Sequence, residues 1–386
     1  MRIGIVGTTW PYRGGLAAFN ERLARQFIAE GNEVEIFTFT LQYPDFLFPG
    51  KTQYSEAPQP ADLSITRAMN SINPFSWFFC TRAIKKAHID LVVIKFWIPL
   101  MAPCLGTIAR LCRRSGIRVV SILDNVIPHE PHFWDKWLIR YFVCSVDRFV
   151  AMSASVQEDC RKFLPASRKE DVTLSPHPLY DNFGEAVSKA EARKRLNLPQ
   201  DKTILLFFGF IRDYKGLDLL MKAFRRAQNT EHRAQTDLQL VVAGEFYNNG
   251  ALYKELEKEL GLEGKIEWRT EFIPDDQVRY YFCAADLIVQ PYKTATQSGV
   301  TQIAYHFERP MLVTNVGGLA EIVPDGKVGY VCEVNENSVA DAIGRFAEME
   351  PPQREQQFLK NIREEKKKYA WSQMTKSINR KSSNRK

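Results

Sequence analysis

The chain has 386 residues, 45% hydrophobic and 25% charged, the composition of a folded globular protein with room for two or three domains, not of a disordered or fibrous one. Its seven cysteines are scattered with no CxxC pair, which argues for reduced thiols in the cytoplasm and against a disulfide scaffold or a zinc framework. The net charge is +7, and the last eleven residues, "KSINRKSSNRK" (376–386), hold five Lys/Arg and no acid. That short basic end allows a peripheral contact with the inner face of a membrane, although its plain reading is a solvated terminus. No finger spacing, RNA-binding aromatic signature or basic helix supports nucleic acid as a partner.

"RIGIVG" (2–7) is a short apolar run, as expected of a strand buried on both faces of a parallel sheet. It leaves no room for a signal peptide, and no apolar run reaches the length that spans a bilayer. In "GGLAAFNERLARQFIAEG" (14–31), Leu16, Phe19, Leu23 and Phe27 share one helical face, and Gly31 is a stop signal. Strands follow at 34–39, 89–96, 118–123 and 148–153, with helical stretches between them. One of these, "NPFSWFFCTRAIKKA" (73–87), puts Phe75, Phe78, Phe79 and Arg82 at helical spacing, and a crossover helix packed on the sheet through those residues is expected, with a membrane-docking face as the lesser reading. The pattern pauses at "TLSPHPLYDNFG" (173–184), with a linker near 175–183, and a second β/α series starts at "KTILLFFGFI" (202–211). It continues through strands at 238–246, 265–272, 286–292, 310–316 and 328–334 and closes on helices near 337–349 and 353–369. The fold class is α/β, two Rossmann-like doubly wound domains, 1–175 and 176–369, with 370–386 returning to the first.

Several loops at strand ends could carry chemistry. Gly14 and Gly15 precede the first helix, where free amides favour an anion or a hydroxylated ligand, but no GxGxxG follows a strand, so a dinucleotide has little support. "DNVIPHEPHFWDKW" crowds Asp124, His129, Glu130 and His132 into one loop. A metal site and a polar loop with an incidental histidine pair are both open there, since nothing fixes a ligand spacing. In "FFGFIRDYKGLDLL", Arg212 and Lys215 lie between an apolar strand and a helix, where two cations suit a diphosphate and would neutralise it as a bond to it breaks. In "TATQSGVTQIAYHF" (294–307), Ser298, Gly299 and Val300 open a helix and are expected to present unpaired amides, yet the stretch holds no carboxylate and only one basic side chain, His306.

In this order and spacing the second half resembles the donor domain of family 4 glycosyltransferases, retaining enzymes of the GT-B fold. The resemblance rests on "GFIRDYKGLDLL", "LVVAGEF", "FIPDDQVRYYFCAADLIVQPY", "SGVTQIAYHFERPMLVTNVGGLAEIVPDG" and "YAWSQ". The first half agrees through "PYRGGLAAFNERLARQF", "FWIPLMAP" and "DNVIPHE", the last as in an HNxxPHE subgroup. The resemblance implies that Arg212 and Lys215 bind the donor diphosphate, that Ser298 to Val300 give amides to the phosphates, and that Phe272 and Ile273 hold the base. It also implies Gly14 and Gly15 beside donor and acceptor, with Asp124, Asn125, His129, Glu130, Thr294, Gln297 and Gln302 in the substrate site. The two domains would face each other across a cleft.

The sequence departs from the family pattern where two glutamates commonly stand seven residues apart. Those positions hold Thr294 and Gln302, and Asp124 stands for a histidine. The expected activity is metal-independent, retaining transfer of a sugar from a nucleoside diphosphate sugar to a glycan or lipid-linked acceptor, with no cofactor. Asp124 or His129 is expected beside the donor sugar or acceptor hydroxyl. A catalytically silent nucleotide- or carbohydrate-binding homologue, and another GT-B enzyme such as a sugar-nucleotide epimerase, stay open at this level.

Overall fold

The computed structural model of the protein describes residues 1–44, 53–128, 132–228, 237–247, 250–295 and 298–380. The chain divides into two compact units, Met1–His177 joined by the chain from Trp371 onward, and Pro178–Ala370.

The first unit is built on seven strands: β1 (Arg2–Val6), β2 (Glu33–Leu41), β3 (Ser64–Asn70), β4 (Leu91–Phe96), β5 (Arg118–Leu123), β6 (Arg148–Ala151) and β7 (Val172–Leu174). All pair in parallel, in the order β3-β2-β1-β4-β5-β6-β7. The run "LVVIKF" of β4 is buried along its whole length, as a central strand covered on both faces requires. Helix α1 (Gly15–Ala29) and the closing helix Trp371–Asn379 cover one face, through Phe19, Leu23, Phe27, Trp371, Met374 and Ile378. Helices α2 (Pro74–Lys86), α3 (Ala102–Arg114) and α4 (Asp135–Val143) cover the other. Helix α5 (Ala154–Lys162) links β6 to β7.

Two strands were not expected from sequence. β3, "SITRAMN", is an edge strand whose side chains are mostly half-exposed and polar, and β7 ends at Leu174, just before the linker expected near 175–183. Helix α2 corrects an expectation. Its buried face is Trp77, Cys80, Thr81 and Ile84, whereas Phe75, Phe78, Phe79 and Arg82 face outward. Both sets have helical spacing, so periodicity alone cannot choose between them.

The second unit holds β8 (Thr203–Phe208), β9 (Leu238–Ala243), β10 (Ile266–Arg269), β11 (Leu287–Gln290), β12 (Met311–Thr314) and β13 (Gly329–Cys332), parallel in the order β10-β9-β8-β11-β12-β13. Helix α6 (Lys189–Leu196) precedes the sheet, and α7 (Leu217–Gln228), α8 (Ala251–Glu259), α9 (Asp275–Ala284) and α10 (Gly299–His306) follow β8 to β11 in turn. Asp286, just before β11, ties α6 to the sheet. It accepts from Arg193 at 2.7 Å, from the Ile204 amide at 2.8 Å and from Lys189. Burial alone would raise its carboxyl, but these partners hold it below the usual carboxylate range.

Candidate functional site

The strand order of the second sheet reverses between β8 and β11, and ligands of open α/β sheets bind at such a switch point, beyond the carboxyl ends of the strands. The loops leaving those two strands carry Arg212 with Lys215 and Ser298 with Gly299. Arg212 precedes a 3₁₀ turn, Asp213–Lys215, and its guanidinium lies over the Tyr247 ring at 3.9 Å. Its Nε is buried and has no hydrogen-bond partner. Gly216 ends the turn at a φ of +69°, and a Cβ there would stand 2.0 Å from the Pro291 carbonyl oxygen, so only glycine fits.

The Lys215 ammonium packs 5.7 Å from the centre of the Tyr292 ring and 3.0 Å from the place a Cβ on Gly209 would occupy. A side chain at Gly209 would displace it. Burial pushes this ammonium down to about 8, and the positive charge of Arg212 acts in the same direction. Among the described residues, no carboxylate pairs with either cation, while the neighbouring Lys293 is paired with both Asp213 and Asp218. A separate cavity of about 540 Å³ beside the turn is lined by Asp213, Asp218, Glu255 and Glu259 with Lys222, and that excess of carboxylates does not suit a phosphate.

Ser298 caps α10, its hydroxyl accepting from the Val300 amide at 3.2 Å and meeting the Tyr292 hydroxyl at 3.3 Å. The expectation of three free amides is therefore corrected at Val300, whose N–H the serine cap uses and whose side chain joins the core. A Cβ on Gly299 would stand 3.0 Å from the Tyr180 ring, so that aromatic side chain, not open space, lies against the glycine. Gln302 is only 1% exposed, and neither atom of its amide has a hydrogen-bond partner. Gln290, at the end of β11, is buried in the same condition. Thr294 is exposed, Phe272 is exposed between β10 and α9, and Ile273 packs against the core beside it. Gln297 lies outside the described residues.

In the first unit the order reverses between β1 and β4. Gly14, at a φ of +101°, caps α1 with open space around it, and Gly15 begins the helix. Asp124 follows β5, and it is paired. Its Oδ1 lies 3.0 Å from the ammonium of Lys95, a buried residue of β4 that the sequence reading passed over. The same ammonium sits 3.2 Å above the Phe19 ring of α1. Burial pushes the Asp124 carboxyl up and the Lys95 ammonium down, against their mutual attraction. Asn125 is half-buried beside Asp124. His129 and Glu130 lie outside the described residues. His132 joins no cluster with Asp124: its ring lies 3.6 Å from Asp135 and stacks on Trp134. Among the described residues no group of three His, Cys, Asp or Glu side chains could hold a metal ion.

Two family models divide the chain between them. Residues 13–178 match the model "Glycosyltransferase Family 4" and residues 188–366 match "Glycosyl transferases group 1". Each model spans less than half of the chain, and together they cover most of it. A D-inositol 3-phosphate glycosyltransferase of Streptomyces scabiei is 28% identical over 362 residues, 87% of this chain and 79% of its own length. One of the same name from Streptomyces avermitilis is 28% identical over 195 residues, 50% of this chain and only 42% of its own. In architecture, the Anabaena protein HepE in complex with UDP superposes with a TM-score of 0.69 at 16% identity, over 98% of both chains. The chain therefore has the two parallel-sheet α/β domains of the GT-B fold.

Proposed function

We propose that the protein moves a sugar from a nucleoside diphosphate sugar to a glycan or lipid-linked acceptor, with retention of configuration and without a resident metal ion. The observation that carries this reading is the pair Arg212 and Lys215, two cations without a carboxylate partner among the described residues, at the switch point of the second sheet. Two uncompensated charges are costly beside a buried wall and become favourable when a dianionic diphosphate lies against them. Similarity to the Streptomyces scabiei enzyme supports a glycosyl acceptor chemistry, and the family resemblance supports retention.

In this reading the diphosphate sits over Lys215 and Arg212, with the Gly299 amide and the start of α10 adding a dipole. Phe272, exposed at the edge of the sheet, stacks on the base with Ile273 beside it. Gln302 and Thr294 reach the ribose and the sugar as neutral groups. The bond from the anomeric carbon to the β-phosphate oxygen breaks while the acceptor oxygen bonds to the same carbon from the same face. The acceptor proton passes to the departing phosphate oxygen, and Lys215 with Arg212 stabilises the charge that builds there. On the first unit, Lys95 holds Asp124 as an oriented acceptor for a hydroxyl.

Incubation with a panel of uridine and guanosine diphosphate sugars, with and without EDTA, tests the proposal through nucleoside diphosphate release and the anomeric configuration of the product. Release that persists in EDTA with a retained anomer agrees with it. Binding of the nucleotide without turnover of any donor, or activity abolished by chelation, contradicts it.

A further inference from the structure

Helices α2 and α3 together carry six Lys/Arg and not one acidic residue. The outward stripe of α2 runs from Phe75 through Phe78 and Phe79 to Arg82 and Lys86, and the Phe75 side chain is 76% exposed. Large aromatic side chains rarely stand in water as adjacent groups on a monomeric protein unless the patch has a partner. Lys85, Lys86, Arg82 and Arg114 line a groove of about 620 Å³ between α2 and α3, and Phe78 forms part of its wall. Among the described residues, none of these four cations is paired with a carboxylate.

A second aromatic group lies in the same helix layer. Helix α2 packs on α3 and α3 on α4, so the three stand side by side over one face of the sheet. In crossover connections each helix begins at the carboxyl edge of the strands, which puts the first turns of α2 and α4 at the same edge. There Phe133 and Trp137 are exposed, Trp137 at 82%, with Lys136 beside it. The layer thus joins aromatic side chains along one edge to a basic surface without acids.

We infer that this face, α2 with the end of α3 and the start of α4, docks on an anionic lipid bilayer, Phe75, Phe78, Phe79 and Trp137 entering the interface and the basic groove meeting acidic headgroups. Aromatic side chains favour the headgroup boundary, and lysine and arginine near it are attracted to anionic lipid. The inference does not depend on which sugar or acceptor the enzyme uses. It would bring a soluble active site to a lipid-linked acceptor.

The test is sedimentation of the full chain with vesicles of phosphatidylcholine alone, and of phosphatidylcholine and phosphatidylglycerol in equal parts. The wild-type protein should bind the anionic vesicles and not the neutral ones. F75S/F78S/F79S and, separately, R82E/K85E/K86E should each lower that partitioning by about tenfold or more, with donor hydrolysis in solution unchanged. Equal binding to both vesicle types, or full binding by both variants, would overturn the inference. So would a wild-type dimer in solution that the serine variant dissociates, because the face would then be a self-interface.

Discussion

The Lys95 ammonium is held between the Asp124 carboxylate, 3.0 Å away, and the face of the Phe19 ring, 3.2 Å from its centre. Lys95 is the one charged residue in the wholly buried strand β4, and a buried charge needs a partner. Asp124→Ala should therefore cost about 3–5 kcal/mol, because it strands the ammonium in the core. Lys95→Met with Asp124→Leu should recover most of that loss. Urea denaturation of the three proteins decides it, and an Asp124→Ala protein as stable as the parent would show that the pair does not hold the first unit together.

A second buried pair gives a similar expectation in the other unit. Arg193 is 3% exposed and depends on Asp286 for its charge partner. Asp286→Ala should destabilise the second unit by about 3–5 kcal/mol. Since the folded-state carboxyl is held below its ordinary value, its contribution is complete above the usual carboxylate range and is lost as pH falls through the lowered value. Thermal melts of wild type and variant should converge as the pH drops.

Gln302 offers a test that separates function from stability. Its amide is buried and unpaired, a state that costs about 1–3 kcal/mol. Gln302→Leu should raise the melting temperature of the ligand-free protein while weakening uridine diphosphate binding by about three- to tenfold. Calorimetric titration alongside a melt reads both. Unchanged affinity would remove Gln302 from the nucleotide site.

Much of the fold was legible because strands buried on both faces leave continuous apolar runs, as in "LVVIKF" and "TILLFF", and turns leave glycines. What was not legible depended on tertiary contact. β3 carries no continuous apolar run because it lies at an edge, and only β2 beside it makes it a strand. The two faces of α2 are equally periodic, so the exposed Phe75, Phe78 and Phe79 could be recognised only from what covers Trp77 and Ile84. At the candidate site, Arg212 and Lys215 stood out as two cations in a strand–helix connection. Gly209 did not, since its role is the space that the Lys215 ammonium fills. Lys95 had a usable signal, a lone charge inside an apolar strand, which demands a buried acid nearby.

Lys215 predicts a pH dependence. Its ammonium is pushed down to about 8 by burial and by Arg212, so it is charged at neutral pH and loses its proton as the pH rises through that value. Affinity for a nucleoside diphosphate should fall above about pH 8, approaching tenfold per unit, until the ligand-bound lysine also titrates. The folded chain binds this proton less tightly than the unfolded one, so ligand-free stability should rise over the same interval. Lys215→Arg should flatten the affinity profile. A wild-type profile already flat to pH 10 would contradict the assignment.

The most direct measurement is donor turnover by Lys215→Ala, compared with wild type across the same panel of nucleotide sugars. Losing a donor aimed at the leaving group costs about 3–4 kcal/mol in the transition state, so kcat should drop by about a hundredfold or more, with the variant's melt and circular dichroism unchanged. A folded Lys215→Ala protein that turns over its donor at the wild-type rate would contradict the placement of the diphosphate at Arg212 and Lys215.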